Sequence, residues 1–349
     1  MQQVSIIGLG LIGASIGLGL RRWATDDGKR SPVVELTGFD IDLAHQNYAK
    51  KIKAVDRTEW NLRGAVERAD FIIIATPVGS VREIFEAIAE YGKQGVVVTD
   101  TCSTKAAVLA WARELLPASV HFVGGHPMAG KAQSIEGAEA DLFQGATWCV
   151  TPLVSASEEA VQTVLGMISA LGAEPLFIDA DEHDSYVAGI SHLPFLLSVA
   201  LMRVVSRDAS WREMRKLTAS GFRDATRLAA GSPEMHRDIC VTNSANIVRW
   251  LDTTLAELHH LRDLIAAGNE ETIATLLQAF EQARDARAEW ATQERRPGEL
   301  VQDTATELVN ISFGQQMQQL FFGNLLRRPR PGTREPREEG RDRRPPSSR

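Results

Sequence analysis

Short apolar runs, separated by longer stretches of helical periodicity, fill the first half of the chain. They cover Val4 to Ile7, Val33 to Phe39, Phe71 to Ala75, Val96 to Thr99, Val120 to Val123, Thr147 to Val150 and Pro175 to Ile178. Each is short enough for a strand, and their alternation with helical segments predicts a parallel-dominated sheet with helices on both faces. Beyond Asp181 the texture changes. From Ser185 to Leu326 apolar residues recur at i, i+3 and i+4, as in LPFLLSVALMRVV (193–205) and IVRWLDTTLAELHHLRDLI (247–265). Breaks are expected at SGF (220–222), AGSP (230–233) and AAGN (266–269). The chain thus reads as a doubly wound α/β domain over 1–180, an all-α domain over 181–326 and a tail over 327–349. Long apolar helices in a domain of this size predict a face buried against a second copy, a homodimer.

The first strand breaks directly into Gly8, Gly10 and Gly13. Gly8 permits a tight turn, Gly10 lets the backbone approach a pyrophosphate, and Gly13 lets the helix pack close on the strand. Leu11 and Ile12 open that helix, so their N–H groups face the phosphates. The spacing predicts a Rossmann-type, dinucleotide-binding turn. The second strand ends at Asp40, whose carboxylate suits the two hydroxyls of an adenosine ribose and repels a 2′-phosphate; the next residue is Ile41, not Arg, so NAD is expected rather than NADP. The polar insert ATDDGKRSP (24–32) accounts for its extra distance from the glycines. A plain turn residue is the competing reading of Asp40. ATPV (75–78), with Thr76 and Pro77, DTCSTK (100–105) and GGHPMAG (124–130) sit at carboxyl ends of predicted strands, where a doubly wound sheet forms its ligand crevice.

Composition narrows the class. The 349 residues are 44% hydrophobic, ordinary for a globular protein, and no apolar run approaches the roughly 20 residues of a membrane span. With no basic-then-apolar leader, a cytoplasmic location is expected. Cys102, Cys149 and Cys240 are far apart and form no CxxC, so reduced thiols are expected and no metal site. The net charge of −7 is uneven, because nine Arg stand against four acids from Arg327 to Arg349. The body is acidic, which argues against nucleic acid as a partner. The Pro-, Arg- and Glu-rich tail reads as disordered.

Hydride chemistry needs a base for the departing hydroxyl proton. His126, at a strand's carboxyl end before Pro127, is the first candidate, with a structural imidazole as the alternative. Ser103 is placed to hydrogen-bond His126 and fix its tautomer, or to cap the helix from Lys105. The helical half offers His183, Asp184, His192 in SHLP (191–194), and Arg223 and Arg227 in SGFRDATR (220–227). Arg223 suits a bidentate grip on a carboxylate, or a salt bridge to Asp224. His192 alone reads equally as a helix-start residue.

Taken together, GLGLIGAS, ATPV, the DxxSxK segment, GGHPMAG, DLFQGATWCVTP (141–152), HDxxVAxISHLP (183–194) and SGFRDATRLA (220–229) resemble the prephenate and arogenate dehydrogenases of tyrosine biosynthesis, from Val4 to about Asn246. The resemblance implies NAD-dependent oxidative decarboxylation of prephenate to 4-hydroxyphenylpyruvate. It implies that His126 receives the 4-hydroxyl proton, that Ser103 bridges histidine, substrate and nicotinamide, that Arg223 binds a substrate carboxylate and that His192 lines the pocket. Arogenate, or both substrates, is the alternative; a non-catalytic NAD-binding sensor is the alternative of another class. A β-hydroxyacid dehydrogenase would want a lysine in helix 193–205, which carries Arg203 instead. Two positions depart from the family pattern. Cys102 replaces a small residue and is expected to crowd the nicotinamide or merely pack, and His236 replaces a Trp and is expected to alter a pocket wall.

Overall fold

Eight strands form one sheet in the computed structural model, which describes residues 2–26, 34–131 and 133–293. Residues 27–32 of the polar insert, the last part of the expected all-α region and the whole 327–349 tail lie outside the described residues. The strands are β1 (Gln2–Ile7), β2 (Val34–Phe39), β3 (Arg57–Thr58), β4 (Phe71–Ile74), β5 (Val97–Asp100), β6 (His121–Pro127), β7 (Thr147–Pro152) and β8 (Glu174–Phe177). Their order is β3-β2-β1-β4-β5-β6-β7-β8, and every neighbouring pair is parallel except β6 with β7. The first six reproduce the dinucleotide-binding order, with its switch point between β1 and β4. Strand β3 was not foreseen: two residues carry too little hydrophobic pattern to register.

Period-two alternation divides the apolar side chains between two cores. Val4 and Ile6 of β1 join Ile73, Val123, Trp148 and Val150 under α1 (Leu11–Asp26), α2 (Leu43–Lys51) and the later α6 (Glu158–Ala170). Ile7 joins Ile72, Ile74, Val98 and Phe122 under α3 (Leu62–Val66), α4 (Val81–Tyr91) and α5 (Ala106–Leu115). A sheet buried on both faces needs this near-continuous apolar character.

The helical part begins with α7 (Ala180–Val187), a π turn at Ala188–His192 and α8 (Leu193–Ser206), one uninterrupted helical run of 27 residues. His192 is therefore mid-run and not a helix start. Then come α9 (Trp211–Met214), α10 (Ser220–Thr226), α11 (Pro233–Thr242), α12 (Ser244–Ala267) and α13 (Glu270–Gln293). SGF (220–222) opens α10 instead of forming a break. The other two breaks have local causes. Ser232 caps α11 by accepting from the Met235 N–H, with Pro233 at its first position, and Gly268 ends α12 at φ +59°.

By length and composition the 180–206 run is apolar enough to cross a membrane, with an 18-residue stretch of mean hydropathy 1.6. The expectation that no run comes near this limit is corrected. It missed the run because His192 and Pro194 interrupt the apolar letters without interrupting the helix. The same run buries His183, Asp184 and His192, and protein partners satisfy His183 and Asp184 on both sides.

Candidate active site

The helical part meets the sheet at the carboxyl ends of its strands. Asp238 of α11 accepts from the Gly79 N–H, just after β4, at 3.2 Å. The hydroxyls of Thr104, after β5, and Thr242 lie 2.9 Å apart. Asp184 of α7 accepts from the N–H groups of Lys105 (2.7 Å) and Ala106 (3.0 Å), so a carboxylate from the helical part caps α5. Ser103, expected as that cap, does not supply it.

His126 lies in this seam. Its Nδ1 is 2.9 Å from Nε2 of His183, and Nδ1 of His183 is 2.8 Å from Oδ1 of Asp184. The tautomer-fixing contact expected of Ser103 thus comes from His183. Ser103 stands half-buried beside the same cleft, and its backbone lies against the His192 ring. Burial first, then the neighbouring His183, Lys105 and His192, hold His126 well below the ordinary histidine value. At neutral pH its ring is uncharged, the form a base needs.

The π turn accounts for His192. In a uniform α-helix the eight residues from Asp184 to His192 sweep about 80° past two full turns. The extra residue of a π turn removes roughly 100° of rotation and brings the two positions onto one face. Asn243 then reaches both, donating from Nδ2 to the Asp184 carbonyl at 2.7 Å and to Nδ1 of His192 at 3.3 Å. With Nδ1 accepting, Nε2 carries the hydrogen; it is buried without a well-aligned protein partner. Gly189 makes room for the turn, since a Cβ there would meet the Trp250 ring at 2.7 Å.

Burial lowers His192 to about 4, against the Asp184 carboxylate, which pushes it up. Below pH ~6.5 the unfolded chain therefore binds a proton that the folded chain resists, so the stability present above that pH is lost as pH falls toward 4. About 2 kcal/mol is expected to disappear by pH 5. Urea unfolding at pH 7.5 and pH 5 should show this loss shrinking in His192→Asn; an undiminished loss would assign it elsewhere.

At the other end of the crevice Gly8 adopts φ +96°, and a Cβ on it would meet the Ala75 carbonyl oxygen at 2.5 Å. A Cβ on Gly13 would lie 1.9 Å from the Gly8 oxygen, whereas one on Gly10 would meet only open space. The first-turn N–H groups of Leu11 and Ile12 begin α1 there. Thr76 lies against Gly8, its hydroxyl buried without a partner among the described residues, and Pro77 leads into the turn that precedes α4. Asp40 accepts from Leu9 N–H (2.7 Å) and Asp42 N–H (2.8 Å), tying the end of β2 to the glycine turn and leaving acceptor capacity on both oxygens. An open cradle, an orphaned hydroxyl and a helix N-terminus fit a dinucleotide.

Arg223 is exposed on α10 and, among the described residues, makes no ion pair with Asp224 or any other acid. Cys102 packs: it is buried in the core under α4 and α5, with Sγ 3.8 Å from the Thr76 carbonyl, and burial raises its thiol pKa well above the ordinary value. His236 stacks face to face on Phe195 of α8, ring centres 4.1 Å apart. Sequence reasoning left His183 and Asp184 without roles and missed Asn243 and Lys105. The adjacent His-Asp pair was the available signal.

Comparisons with known proteins match both parts of the chain. Residues 24–176 match the model of the prephenate dehydrogenase nucleotide-binding domain, and 179–280 that of the prephenate dehydrogenase dimerization domain. A prephenate dehydrogenase of Bacillus subtilis is 31% identical over 287 residues, 81% of this chain and 75% of the relative. The crystal structure of prephenate dehydrogenase from Aquifex aeolicus with hydroxyphenyl propionate and NAD+ superposes with TM-score 0.74 at 26% identity, covering 83% of this chain and 98% of that one. Arogenate dehydrogenase of Synechocystis gives 0.64 at 29% identity, covering 82% and 100%. The fold, the order of the motifs and these matches place the chain in the prephenate dehydrogenase family.

Proposed function

We infer that this protein is an NAD-dependent prephenate dehydrogenase, which oxidises the 4-hydroxyl carbon of prephenate while the ring carboxylate leaves as CO2, giving 4-hydroxyphenylpyruvate for tyrosine synthesis. The observation that carries this reading is the uncharged, buried His126 at the carboxyl end of β6, on the strand edge that also presents the glycine turn. Bound NAD+ supplies the hydride acceptor. Gly8, Gly10, Leu11, Ile12, Gly13, Thr76 and Pro77 would hold its pyrophosphate side, and Asp40 its adenosine ribose.

His126 takes the hydroxyl proton at its unoccupied Nε2, and the Ser103 hydroxyl bridges to the same substrate oxygen. His192 lines the substrate pocket. Arg223, with a guanidinium uncommitted to any acid among the described residues, holds a substrate carboxylate. Residues 1–180 form the cofactor-binding part and 181–326 the substrate and dimerisation part, a division that the two matched segments support. Three unpaired thiols and a small-molecule substrate suit a cytoplasmic enzyme.

Reduced-nicotinamide absorbance tests the reading, with prephenate and arogenate each paired with NAD+ and NADP+. Turnover is expected with prephenate and NAD+. Turnover with arogenate alone would move the assignment to the activity named for the Synechocystis relative, and silence with all four pairs would leave a cofactor-binding protein.

A homodimer through the helices completes the proposal. Val204 of α8, Val248 and Ile265 of α12, and Ile273 and Phe280 of α13 are each more than half exposed. Apolar side chains repeated along several helices favour burial against a second copy. Sedimentation at micromolar concentration is expected to give twice the chain mass; a monomer would reject it.

A further inference from the structure

The hydrogen-bond chain behind His126 has a direction. Both Asp184 oxygens accept backbone N–H groups, from Lys105 and Ala106, as an ionised carboxylate does. Oδ1 also faces Nδ1 of His183 at 2.8 Å, so that nitrogen is the donor. Nε2 of His183 is then the acceptor, and Nδ1 of His126, at 2.9 Å, must donate to it. A neutral His183 whose Nδ1 donates to Asp184 has only Nε2 left to meet His126, and that nitrogen can only accept. The rings meet edge to face, 74° between planes, which suits a ring N–H directed at an in-plane lone pair.

We propose that His183, backed by Asp184, is a positioning residue that fixes His126 as the Nδ1–H tautomer and leaves its Nε2 lone pair bare toward the cleft. A free neutral imidazole prefers hydrogen on Nε2, the form that cannot take a proton there. Without His183 the ring would be present in the cleft yet closed to the hydroxyl proton. Once His126 has taken that proton at Nε2, its Nδ1–H remains held by His183, and the Asp184 carboxylate next in line favours the imidazolium. Asn243 fixes the third histidine in the opposite sense, by donating to its Nδ1.

The inference rests on His126 as the proton acceptor, but its test does not depend on turnover. Long-range proton–nitrogen correlation on full-length protein labelled with 15N-histidine, without substrate, reads the tautomer directly, and His126→Asn assigns the signals by their loss. The expected result is hydrogen on Nδ1 and none on Nε2; an Nε2–H ring in the unsubstituted protein overturns the proposal. His183→Leu removes the acceptor and should shift His126 to Nε2–H and lower kcat/KM by about 10–100-fold. His183→Gln, whose amide oxygen can accept the same Nδ1–H, should retain the tautomer and recover most of that loss. An unchanged tautomer with kcat/KM within about twofold in His183→Leu would overturn the assignment. If that variant fails to fold, the unsubstituted protein's spectrum decides alone. A correct tautomer with no turnover of prephenate would instead count against the proposed reaction.

Discussion

Replacing His126 with alanine is expected to lower kcat by roughly 10²–10⁴, the range that a positioned general base contributes. NAD+ affinity should stay within about twofold, because the glycine turn, Thr76 and Asp40 are separate from the ring. The pH profile supplies a second reading. Burial, then the neighbouring His183, Lys105 and His192, hold His126 well below the ordinary histidine value, so the neutral base persists into mildly acidic solution. The acid limb of kcat/KM should therefore fall below pH 6.5, where an exposed histidine would already be losing activity. His126→Ala should abolish that limb along with the rate. Near-normal turnover in the variant, measured by reduced-nicotinamide absorbance, would remove His126 from the chemistry.

The parts of this protein written in local pattern were readable from the chain. Apolar runs marked seven of the eight strands within a residue or a few, because a doubly covered sheet demands them. Gly8 and Gly13 were readable because only a missing Cβ allows their contacts with Ala75 and with Gly8 itself. What stayed hidden depends on pairings across the sequence. His126 meets His183 57 residues away, and Asp184 caps a helix 79 residues earlier. Ser103, closer to both targets in sequence, therefore looked like the partner. The π turn was equally invisible, since its letters, AGISH, contain no signal separating it from ordinary helix. Arg223 shows the converse: its motif was plain, while its surroundings in the fold do not by themselves assign it a ligand.

Lys105→Met is expected to destabilise the protein by about 3–5 kcal/mol, the cost of breaking a buried ion pair from one side. Lys105 and Asp100 are both fully buried and hydrogen-bonded to each other, and the ammonium also donates to the Gly125 carbonyl at 2.7 Å. Asp100 accepts from the N–H groups of Gly125 (3.0 Å) and Cys102 (2.9 Å). One pair thus laces the end of β5 to β6 one residue before His126. Methionine matches the stem but leaves the Asp100 carboxylate buried with only two backbone donors, a charge the interior poorly tolerates. Adding Asp100→Asn removes the uncompensated charge, so the double variant should be more stable than the sum of the two single losses predicts, by more than about 1 kcal/mol. Urea unfolding of the four proteins measures that coupling. Additive losses would mean that the backbone bonds alone hold Asp100. A large coupling would make the lysine of the DxxSxK segment the fastener that sets the strand ends on which Ser103 and His126 depend.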